Sequence, residues 1–267
     1  MNVTVKIGGW GRTHSSSCQV VEVESDSQSS SFQSTPAIPR GNGLSYGDAS
    51  TIHDGWILDS SKLKGFLLEG DILTVGSGET ISTTTDFLRK FQYELAVVPG
   101  TGNVTIGGAI SADIHGKNHH VEGSFGNHVR RLTLMLADGS IHEIGPDQNP
   151  SLFWATVGGM GLTGVILDVT FSLIPIETSL CTVNTIRCRN IDVLIEEMSH
   201  GDDDHRYSVA WADLLSTGSR LGRSVLWRGD HTKLAELSSK DAAQALRYEP
   251  RHLASVPPLV PSFGFVN

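Results

Sequence analysis

Glycine-rich loops are the parts of this chain whose composition best suits the binding of a ligand. Residues 39–48 contain three glycines within seven positions: Gly41, Gly43 and Gly47. Because glycine has no side chain and adopts positive φ angles easily, such a loop can turn several backbone N–H groups toward one point. An array of these donors binds phosphate or pyrophosphate without a basic side chain. A tight structural turn is the alternative interpretation of one such loop taken alone.

Two further glycine-rich segments follow, at residues 99–116 and 158–164. In the first of them, Gly107 and Gly108 precede small residues, which permits a close approach between a ligand and the backbone. The loop at 39–48 has neither the Gly-Lys-Ser/Thr ending of a Walker loop nor a G-x-G-x-x-G pattern that opens a helix. Three loops roughly 50 to 60 residues apart predict one extended ligand that several parts of the chain contact together.

A cluster of histidines raises the separate question of a metal site. Four histidines and one glutamate fall within fourteen positions: His115, His119, His120, Glu122 and His128. Zinc sites use two or three imidazoles with a carboxylate, and packed histidines that hydrogen-bond the backbone are the alternative. His115 and His119 would share a helix face, but Gly116 and Asn118 disfavour a helix here. The pattern therefore predicts no metal site, and the cluster also lacks an H-E-x-x-H arrangement.

The elements around these residues alternate in the manner of an α+β fold. Short apolar runs separated by Gly and Asp fill the first part of the chain, and apolar side chains at helical spacing predict a helix over residues 83–93. The other features are apolar runs at 56–58, 66–68 and 72–75, strands at 19–23, 165–171 and 207–214, a hairpin at 132–144 and a helix at 191–199. Glycine becomes sparse after Pro175, so we place a boundary there, between domains at residues 1–175 and 176–267.

Two segments leave the organisation open. Residues 27–34 are rich in Ser and Gln and fit either a flexible linker or a short helix packed by Phe32. Residues 256–261 contain three prolines, which can continue neither a helix nor a central strand. A domain that stops there is expected to be incomplete.

Composition and charge exclude several classes of protein. Hydrophobic residues make up 39% of the chain and charged residues 18%, which suits a folded protein and not a disordered one. The formal net charge of −9 leaves no excess of positive charge for a phosphate backbone, so we predict no nucleic-acid partner. No stretch approaches the ~20 apolar residues that a transmembrane helix needs, and residues 1–17 lack the pattern of a signal peptide. We therefore predict a cytoplasmic protein with no transmembrane segment, and peripheral association with a membrane stays open.

Four sequence motifs resemble those of a known enzyme family. They are Arg-Gly-Asn-Gly-Leu-Ser-Tyr-Gly-Asp at 40–48, Asp-Ile-His-Gly-Lys-Asn-His-His at 113–120, Gly-Ser-Phe-Gly-Asn-His-Val at 123–129 and Phe-Trp-Ala-Thr-Val-Gly-Gly at 153–159. Together they resemble the FAD-linked oxidases of the vanillyl-alcohol oxidase superfamily, and within it the oxidases of polyprenyl-phosphoribose. The similarity extends from about Gly8 to the end of the chain.

The resemblance implies an α+β protein with a PCMH-type FAD-binding domain of two subdomains, followed by an incomplete antiparallel-sheet substrate domain. It implies FAD contacts at Arg40, Gly41, Asn42, Gly43, Leu44, Ser45, Tyr46, Gly47, Asp48, Ala49, Gly100, Thr105, Ile106, Gly107, Gly108, Ala112, Asp113, Ile114, His115 and Ile166. Some relatives carry a histidine bonded covalently to the flavin at the position of Leu44, and nearer relatives carry an arginine. Leucine has no nucleophilic atom, so we predict that FAD binds non-covalently.

The same resemblance implies the activity and the residues that perform it. His115 and Lys117 are expected to be catalytic residues beside the flavin, and Lys117 and Trp211 are expected to contact the substrate. The implied reaction is oxidation of a secondary alcohol on a sugar or polyprenyl-phosphosugar, in which a base removes the hydroxyl proton and hydride passes to flavin N5. A solvated surface position for Lys117 and a core position for Trp211 are the alternatives.

Members of this family are longer than the present chain, and their additional residues complete the substrate domain. We therefore expect a truncated enzyme, one half of a split oxidase that needs a second polypeptide, or a flavin-binding protein without catalytic activity. The resemblance leaves the individual sugar and the electron acceptor open.

Overall fold

A computed structural model of the protein describes residues 4–24 and 35–247. Its thirteen strands over those ranges are β1 (Thr4–Gly8), β2 (Ser15–Glu22), β3 (Ala37–Arg40), β4 (Trp56–Asp59), β5 (Phe66–Glu69), β6 (Ile72–Gly76), β7 (Tyr93–Leu95), β8 (Val129–Met135), β9 (Ile141–Ile144), β10 (Val165–Pro175), β11 (Cys181–Cys188), β12 (Tyr207–Asp213) and β13 (Arg223–His231). Its six α-helices are α1 (Ile81–Arg89), α2 (Ile106–Ser111), α3 (His119–Glu122), α4 (Pro150–Thr156), α5 (Ile191–Gly201) and α6 (Ser239–Ala242). The segments 27–34 and 256–261 lie outside the described residues.

The largest sheet is six-stranded and is built around β10. Its order is β5-β6-β10-β8-β9, and β7 pairs with the last residues of β10. All of these pairs are antiparallel. The predicted hairpin at 132–144 is confirmed as β8 and β9, and Gly139 between them has a φ of +83°. The predicted strand at 165–171 is confirmed as the first part of β10, where all but Asp168 are buried.

Two helices, α1 and α2, pack against this sheet and close its core. Ile81 and Leu88 of α1 lie in the same buried cluster as Ile106 and Ile110 of α2 and Phe171 of β10. Each of these five side chains is at most 1% exposed. The core of the six-stranded sheet therefore fixes where α2 begins, and with it the second glycine-rich segment.

The helix predicted over residues 83–93 differs from the observed one at both ends. α1 runs from Ile81 to Arg89. Gln92 has a φ of +62°, a left-handed conformation that a helix cannot continue, and Tyr93 begins β7. The spacing of apolar residues predicts the helix but not its end, because a left-handed turn leaves no mark in that spacing.

A smaller four-stranded sheet has the order β1-β2-β4-β3. β1 and β2 are antiparallel, whereas β2 and β3 both run parallel to β4. The carboxyl ends of parallel strands meet at one edge of a sheet, so the chain leaves β3 at Arg40 directly beside Asp59, the last residue of β4. The loop of residues 41–50 starts from this edge. The sheet therefore fixes the origin of the first glycine-rich loop.

The third sheet has three strands in the order β11-β13-β12, with antiparallel pairing throughout. α5 covers one face through a buried cluster that includes Leu194 and Leu226. On the opposite face, Val183, Trp211 and Trp227 are between 38% and 52% exposed. This sheet is thus covered on one face by the described part of the chain.

The sequence predicts the helix and one strand of this last sheet, but not β11 and β13. The helix predicted at 191–199 is α5, and the strand predicted at 207–214 is β12. The boundary predicted near Pro175 falls at the last residue of β10 and stays a prediction. None of the helices within residues 4–24 and 35–247 has the length and apolar content that crossing a bilayer requires.

A half-buried histidine, His231, lies at the end of β13. The carbonyl oxygen of Thr178 can only accept, so His231 Nδ1–H donates to it at 3.1 Å, and Nε2 accepts from the Tyr207 hydroxyl at 3.0 Å. Burial lowers the pKa of His231 and raises the pKa of Tyr207 to about 12. The folded chain therefore holds His231 as the neutral imidazole.

We expect acid to destabilise the chain partly through His231. Its folded pKa lies below the value of about 6.5 for an unfolded chain, so the unfolded state takes up the proton first. Stability is fully present above that value and is lost as the pH falls from there through the folded pKa. His231→Gln should reduce this loss, whereas His53→Gln, at a side chain that is 69% exposed, should not. Urea unfolding at several pH values measures the free energy of unfolding. If it fell equally with pH in wild type and in His231→Gln, the role assigned to His231 would be contradicted.

Candidate functional site

A large cavity brings the three glycine-rich segments together. Its volume is about 880 Å³, toward the upper end of the ~300–1,000 Å³ typical of ligand pockets. Gly41, Gly100 and Gly161, one from each segment, all line it. The predicted convergence of these segments on one site is therefore confirmed.

Most of the residues with a predicted FAD contact line this cavity. They are Arg40, Gly41, Asn42, Gly43, Leu44, Ser45, Tyr46, Gly47, Ala49, Gly100, Thr105, Gly107, Gly108, Ala112, Ile114 and Ile166. They come from the end of β3, the loop that follows it, α2 with the segments on either side of it, and the start of β10. Contact with FAD itself stays a prediction for each of them.

Four residues with a predicted FAD contact lie off the cavity wall. Ile106 is fully buried in the core of the six-stranded sheet. The Asp113 carboxylate accepts a backbone N–H at 2.9 Å, and the Asp48 carbonyl accepts a backbone N–H from three residues later at 2.9 Å. His115 is exposed, and its backbone forms an isolated β-bridge. Ile106, Asp113 and Asp48 contact other parts of the protein. Their effect on ligand binding would therefore be indirect, through the position of the segments that they stabilise.

The loop after β3 has backbone N–H groups that the protein does not use. None of the N–H groups of residues 41–49 donates a hydrogen bond to another residue in the described part of the chain. All of these residues except Asp48 line the cavity. Backbone N–H groups need an acceptor, and a run of free ones in a turn forms a concave site for anions. The loop is therefore suited to a diphosphate.

Arg40 is the one charged side chain among the described residues that line the cavity. Its guanidinium donates to the carbonyl oxygen of Ser50 at 2.9 Å and to that of Gly8 at 2.8 Å, which ties the loop to the end of β1. Gly43 has a φ of +64° and lies against this guanidinium, where a side chain would overlap it. Burial lowers the pKa of Arg40, but an arginine starts from above ~12 and stays cationic. Arg40 thus shapes the loop and supplies positive charge.

The start of α2 uses its backbone N–H groups within the protein. Thr105 Oγ1 accepts the N–H of Gly108 at 3.2 Å. The N–H of Gly107 donates to the carbonyl oxygen of Ser77 at 2.9 Å, and the N–H of Ile106 likewise donates to a carbonyl at 2.8 Å. The N–H groups at these three positions are therefore not free to bind a ligand, unlike those of residues 41–49.

The glycines fall into two groups according to what a side chain would meet. At Gly41 it would overlap Thr105, and at Gly107 it would lie 3.1 Å from another side-chain carbon. These two glycines permit close contacts between parts of the protein. At Gly47 and Gly100 a Cβ atom would meet no protein atom within 4 Å, although both residues line the cavity. Space for a ligand therefore lies beside Gly47 and Gly100.

Several residues of the wall are absent from the predicted FAD contacts. They are Trp10, Pro39, Ser50, Ser60, Ser77, Pro99, Thr101, Asn103, Val104, Ser111, Met160, Gly161, Gly164 and Val165. The ring of Trp10 packs edge-to-face against Tyr46 with centroids 5.3 Å apart, and both rings are exposed. The Gly-Gly-Trp-Gly run at residues 8–11 is a signal that indicates Trp10. Ser60 and Ser77 carry no local signal, because only the fold brings them to the cavity.

The loop after α2 connects the cavity region with the three-stranded sheet. The carbonyl oxygen of Lys117 accepts the N–H of Ser208 in β12 at 2.8 Å, and Glu122 pairs with Arg206 at 2.5 Å. The side chain of Lys117 is exposed, and Trp211, also in β12, is 50% exposed. The fold therefore brings Lys117 to the strand that carries Trp211, and neither residue lines the cavity.

Hydrogen bonds to the protein hold the middle of the histidine cluster. His120 Nε2 donates to the carbonyl oxygens of Asp202 at 3.0 Å and His205 at 2.9 Å. His128 Nε2 lies 3.0 Å from the carbonyl oxygen of Glu122. Within residues 4–24 and 35–247, no three His, Cys, Asp or Glu side chains are arranged to hold a metal ion. Backbone hydrogen bonding is the role that the structure gives to His120 and His128.

Comparison with known proteins identifies one matching family and several relatives. Residues 19–145 match a family described as FAD binding domain. The decaprenylphosphoryl-beta-D-ribose oxidase of Mycolicibacterium smegmatis is 36% identical, over 99% of this chain and 60% of that protein. An uncharacterized protein in the mprA 5′ region of Streptomyces coelicolor is 37% identical, over 68% of this chain and 48% of that protein. The L-gulonolactone oxidase of Mus musculus is 32% identical, over 47% of this chain and 30% of that protein. The chain thus spans between 48% and 60% of the length of the first two relatives.

Filling the space beside Gly100 should exclude the ligand without disturbing the protein. Because a Cβ atom there meets no protein atom within 4 Å, we expect Gly100→Val to keep the melting temperature of the ligand-free chain. The dissociation constant for FAD should rise about tenfold or more, which corresponds to ~1.4 kcal/mol, and Gly100→Ala should show a smaller rise. Flavin fluorescence titration measures the constants. An unchanged constant for Gly100→Val would show that FAD does not use this space.

Proposed function

We propose that this chain is an FAD-linked oxidoreductase that oxidises a secondary alcohol of a sugar or polyprenyl-phosphosugar, because residues 19–145 match the FAD binding domain family. FAD is its cofactor. The substrate class is proposed from the relative in Mycolicibacterium smegmatis, which is named for decaprenylphosphoryl-ribose and aligns with 99% of this chain.

The observation that carries the proposal is the fit between the cavity and FAD. The diphosphate of FAD needs several hydrogen-bond donors and positive charge, and the free N–H groups of residues 41–49 and the Arg40 guanidinium offer both. The volume of about 880 Å³ suits a dinucleotide. When bound, FAD supplies the hydride acceptor of the oxidation.

Leu44 supports non-covalent binding of FAD. It lines the cavity, and its side chain has no atom that can form a bond to the flavin. No histidine or cysteine is among the described residues that line the cavity. The affinity for FAD must therefore come from hydrogen bonds, charge and packing, which makes the first glycine-rich loop its main source in this proposal.

We assign contacts with substrate to Lys117 and Trp211 and a proton-accepting role to His115. The exposed ammonium of Lys117 can pair with a phosphate group, and the half-exposed ring of Trp211 offers a flat apolar surface. A neutral imidazole at His115 can accept the proton of a hydroxyl group that is being oxidised. His115 lies two residues from Lys117, whose backbone contacts the strand of Trp211.

We propose that residues 1–175 form the FAD-binding domain, with two subdomains, and that residues 176–267 contribute to a substrate domain. In the described residues, α5 covers one face of the three-stranded sheet. Trp211 and Trp227 on its other face are 50% and 38% exposed. A second polypeptide that covers this face would complete the substrate site. A flavin-binding protein without turnover is the alternative.

Reduction of the bound flavin by substrate tests the proposed activity. We expect the FAD-loaded chain, mixed anaerobically with a polyprenyl-phosphoribose, to lose its visible flavin absorbance. Lys117→Met should raise KM for this substrate about tenfold with a smaller change in kcat, because the lost contact is to a phosphate group that does not itself react. Lys62→Met, at a lysine that is 58% exposed on the surface, is the matched control and should change neither.

The same measurement separates the proposed function from its alternatives. Loss of absorbance only after a second polypeptide is added would support the split oxidase. An oxidised spectrum that persists with each phosphosugar and sugar alcohol, with and without that polypeptide, would refute the oxidoreductase and leave the flavin-binding protein.

A further inference from the structure

A buried hydroxyl group without a partner belongs to one of the residues that line the cavity. Ser77 follows the last residue of β6 and is 0% exposed. Its Oγ makes no hydrogen bond with any residue that the structure describes. Ser77 is nevertheless one of the residues that line the cavity.

The backbone of Ser77 is fully used and holds the residue in place. Its N–H donates to the carbonyl oxygen of Leu167 in β10 at 2.9 Å, and its carbonyl oxygen accepts the N–H of Gly107 at 2.9 Å. Ser77 therefore joins the six-stranded sheet to the start of α2. The hydroxyl is the one polar group of this residue that the described protein leaves unpaired.

A neighbouring serine shows that this arrangement is not general for the cavity wall. Ser60 also lines the cavity and is 6% exposed, but its Oγ donates to the carbonyl oxygen of Arg40 at 3.2 Å. Buried hydroxyl groups normally have such a partner. One without it calls for an explanation, such as a bound ligand, a bound water molecule or local strain. Ser77 is thus the exception that needs an explanation.

The surroundings of Ser77 lie next to the first glycine-rich loop. Gly107 lies so close that a side chain there would come within 3.1 Å of the Ser77 Cβ atom and 3.5 Å of its Oγ. Thr105, two residues before Gly107, is the residue that a side chain at Gly41 would overlap. Ser77 therefore adjoins the start of α2, which the first glycine-rich loop approaches at Gly41.

We infer that the Ser77 hydroxyl binds an oxygen of the chain that joins the two ring systems of FAD, the diphosphate or the adjoining polyol. A hydroxyl group can donate to a phosphate oxygen or accept from an alcohol, so it serves either. This assignment rests on FAD as the cofactor and not on the proposed substrate. It adds a buried side-chain contact to those proposed for the backbone N–H groups of residues 41–49 and for Arg40.

The inference predicts effects of opposite sign on the empty and the loaded protein. In the ligand-free chain, Ser77→Ala removes a buried hydroxyl that has no partner, so its melting temperature should stay equal or rise. In the loaded chain the same change removes a hydrogen bond, so the dissociation constant for FAD should rise about tenfold. A purely structural role for Ser77 would not separate these two readouts.

Ser60→Ala is the matched control, because it removes a hydroxyl that already has a protein partner. We expect it to lower the melting temperature of the ligand-free chain. Thermal unfolding of ligand-free protein and flavin fluorescence titration measure both quantities for wild type and the two variants, without any substrate.

An FAD dissociation constant for Ser77→Ala within twofold of wild type would overturn the inference, as would a fall in the melting temperature of its ligand-free form comparable to that of Ser60→Ala. Failure of the wild type to bind FAD would overturn it as well. Failure to oxidise any phosphosugar would refute the proposed function alone, since no step of this test uses a substrate.

Discussion

The first glycine-rich loop keeps its N–H groups free because other groups hold the loop in place. The Arg40 guanidinium ties it to the carbonyl oxygens of Gly8 and Ser50. The N–H of Trp10 donates to the carbonyl oxygen of Ser45 in the loop at 2.9 Å. The loop is thus fastened by a cation and through its carbonyl groups, while the N–H groups of residues 41–49 donate to no other described residue. A polypeptide loop with this division of its polar groups is ordered and still has donors for an anion.

The rest of the fold supplies the position of that loop. Parallel pairing of β3 with β4 sets Arg40 beside Asp59 at one sheet edge, and the core of the six-stranded sheet sets the start of α2 across the cavity. Glycine at position 41 lets the first glycine-rich loop approach Thr105, the residue before α2, whereas Gly47 and Gly100 face open space. The same residue type therefore has two functions here, close packing of the protein and room for the ligand.

The sequence predicts this site well where local composition carries the signal. The three glycine-rich segments, the hairpin at 132–144 and the motif residues on the wall follow from residue type and spacing. The end of α1 does not, because the left-handed turn at Gln92 is set by pairing of β7 with β10. At the site, the positions of Ser77 and Ile106 likewise do not follow from local sequence. Only the folded chain shows that Ser77 reaches the cavity wall and that the Ile106 side chain points into the core.

Hydrogen exchange of the backbone amides tests most directly whether the free N–H groups of residues 41–49 bind the diphosphate of FAD. In ligand-free protein these amides should exchange fast, because the described protein gives them no acceptor. FAD should slow their exchange strongly, while the amides of β11, which lies outside the cavity, should keep their rates. Equal exchange at residues 41–49 with and without bound FAD would show that the cofactor is held by other groups and would contradict the account.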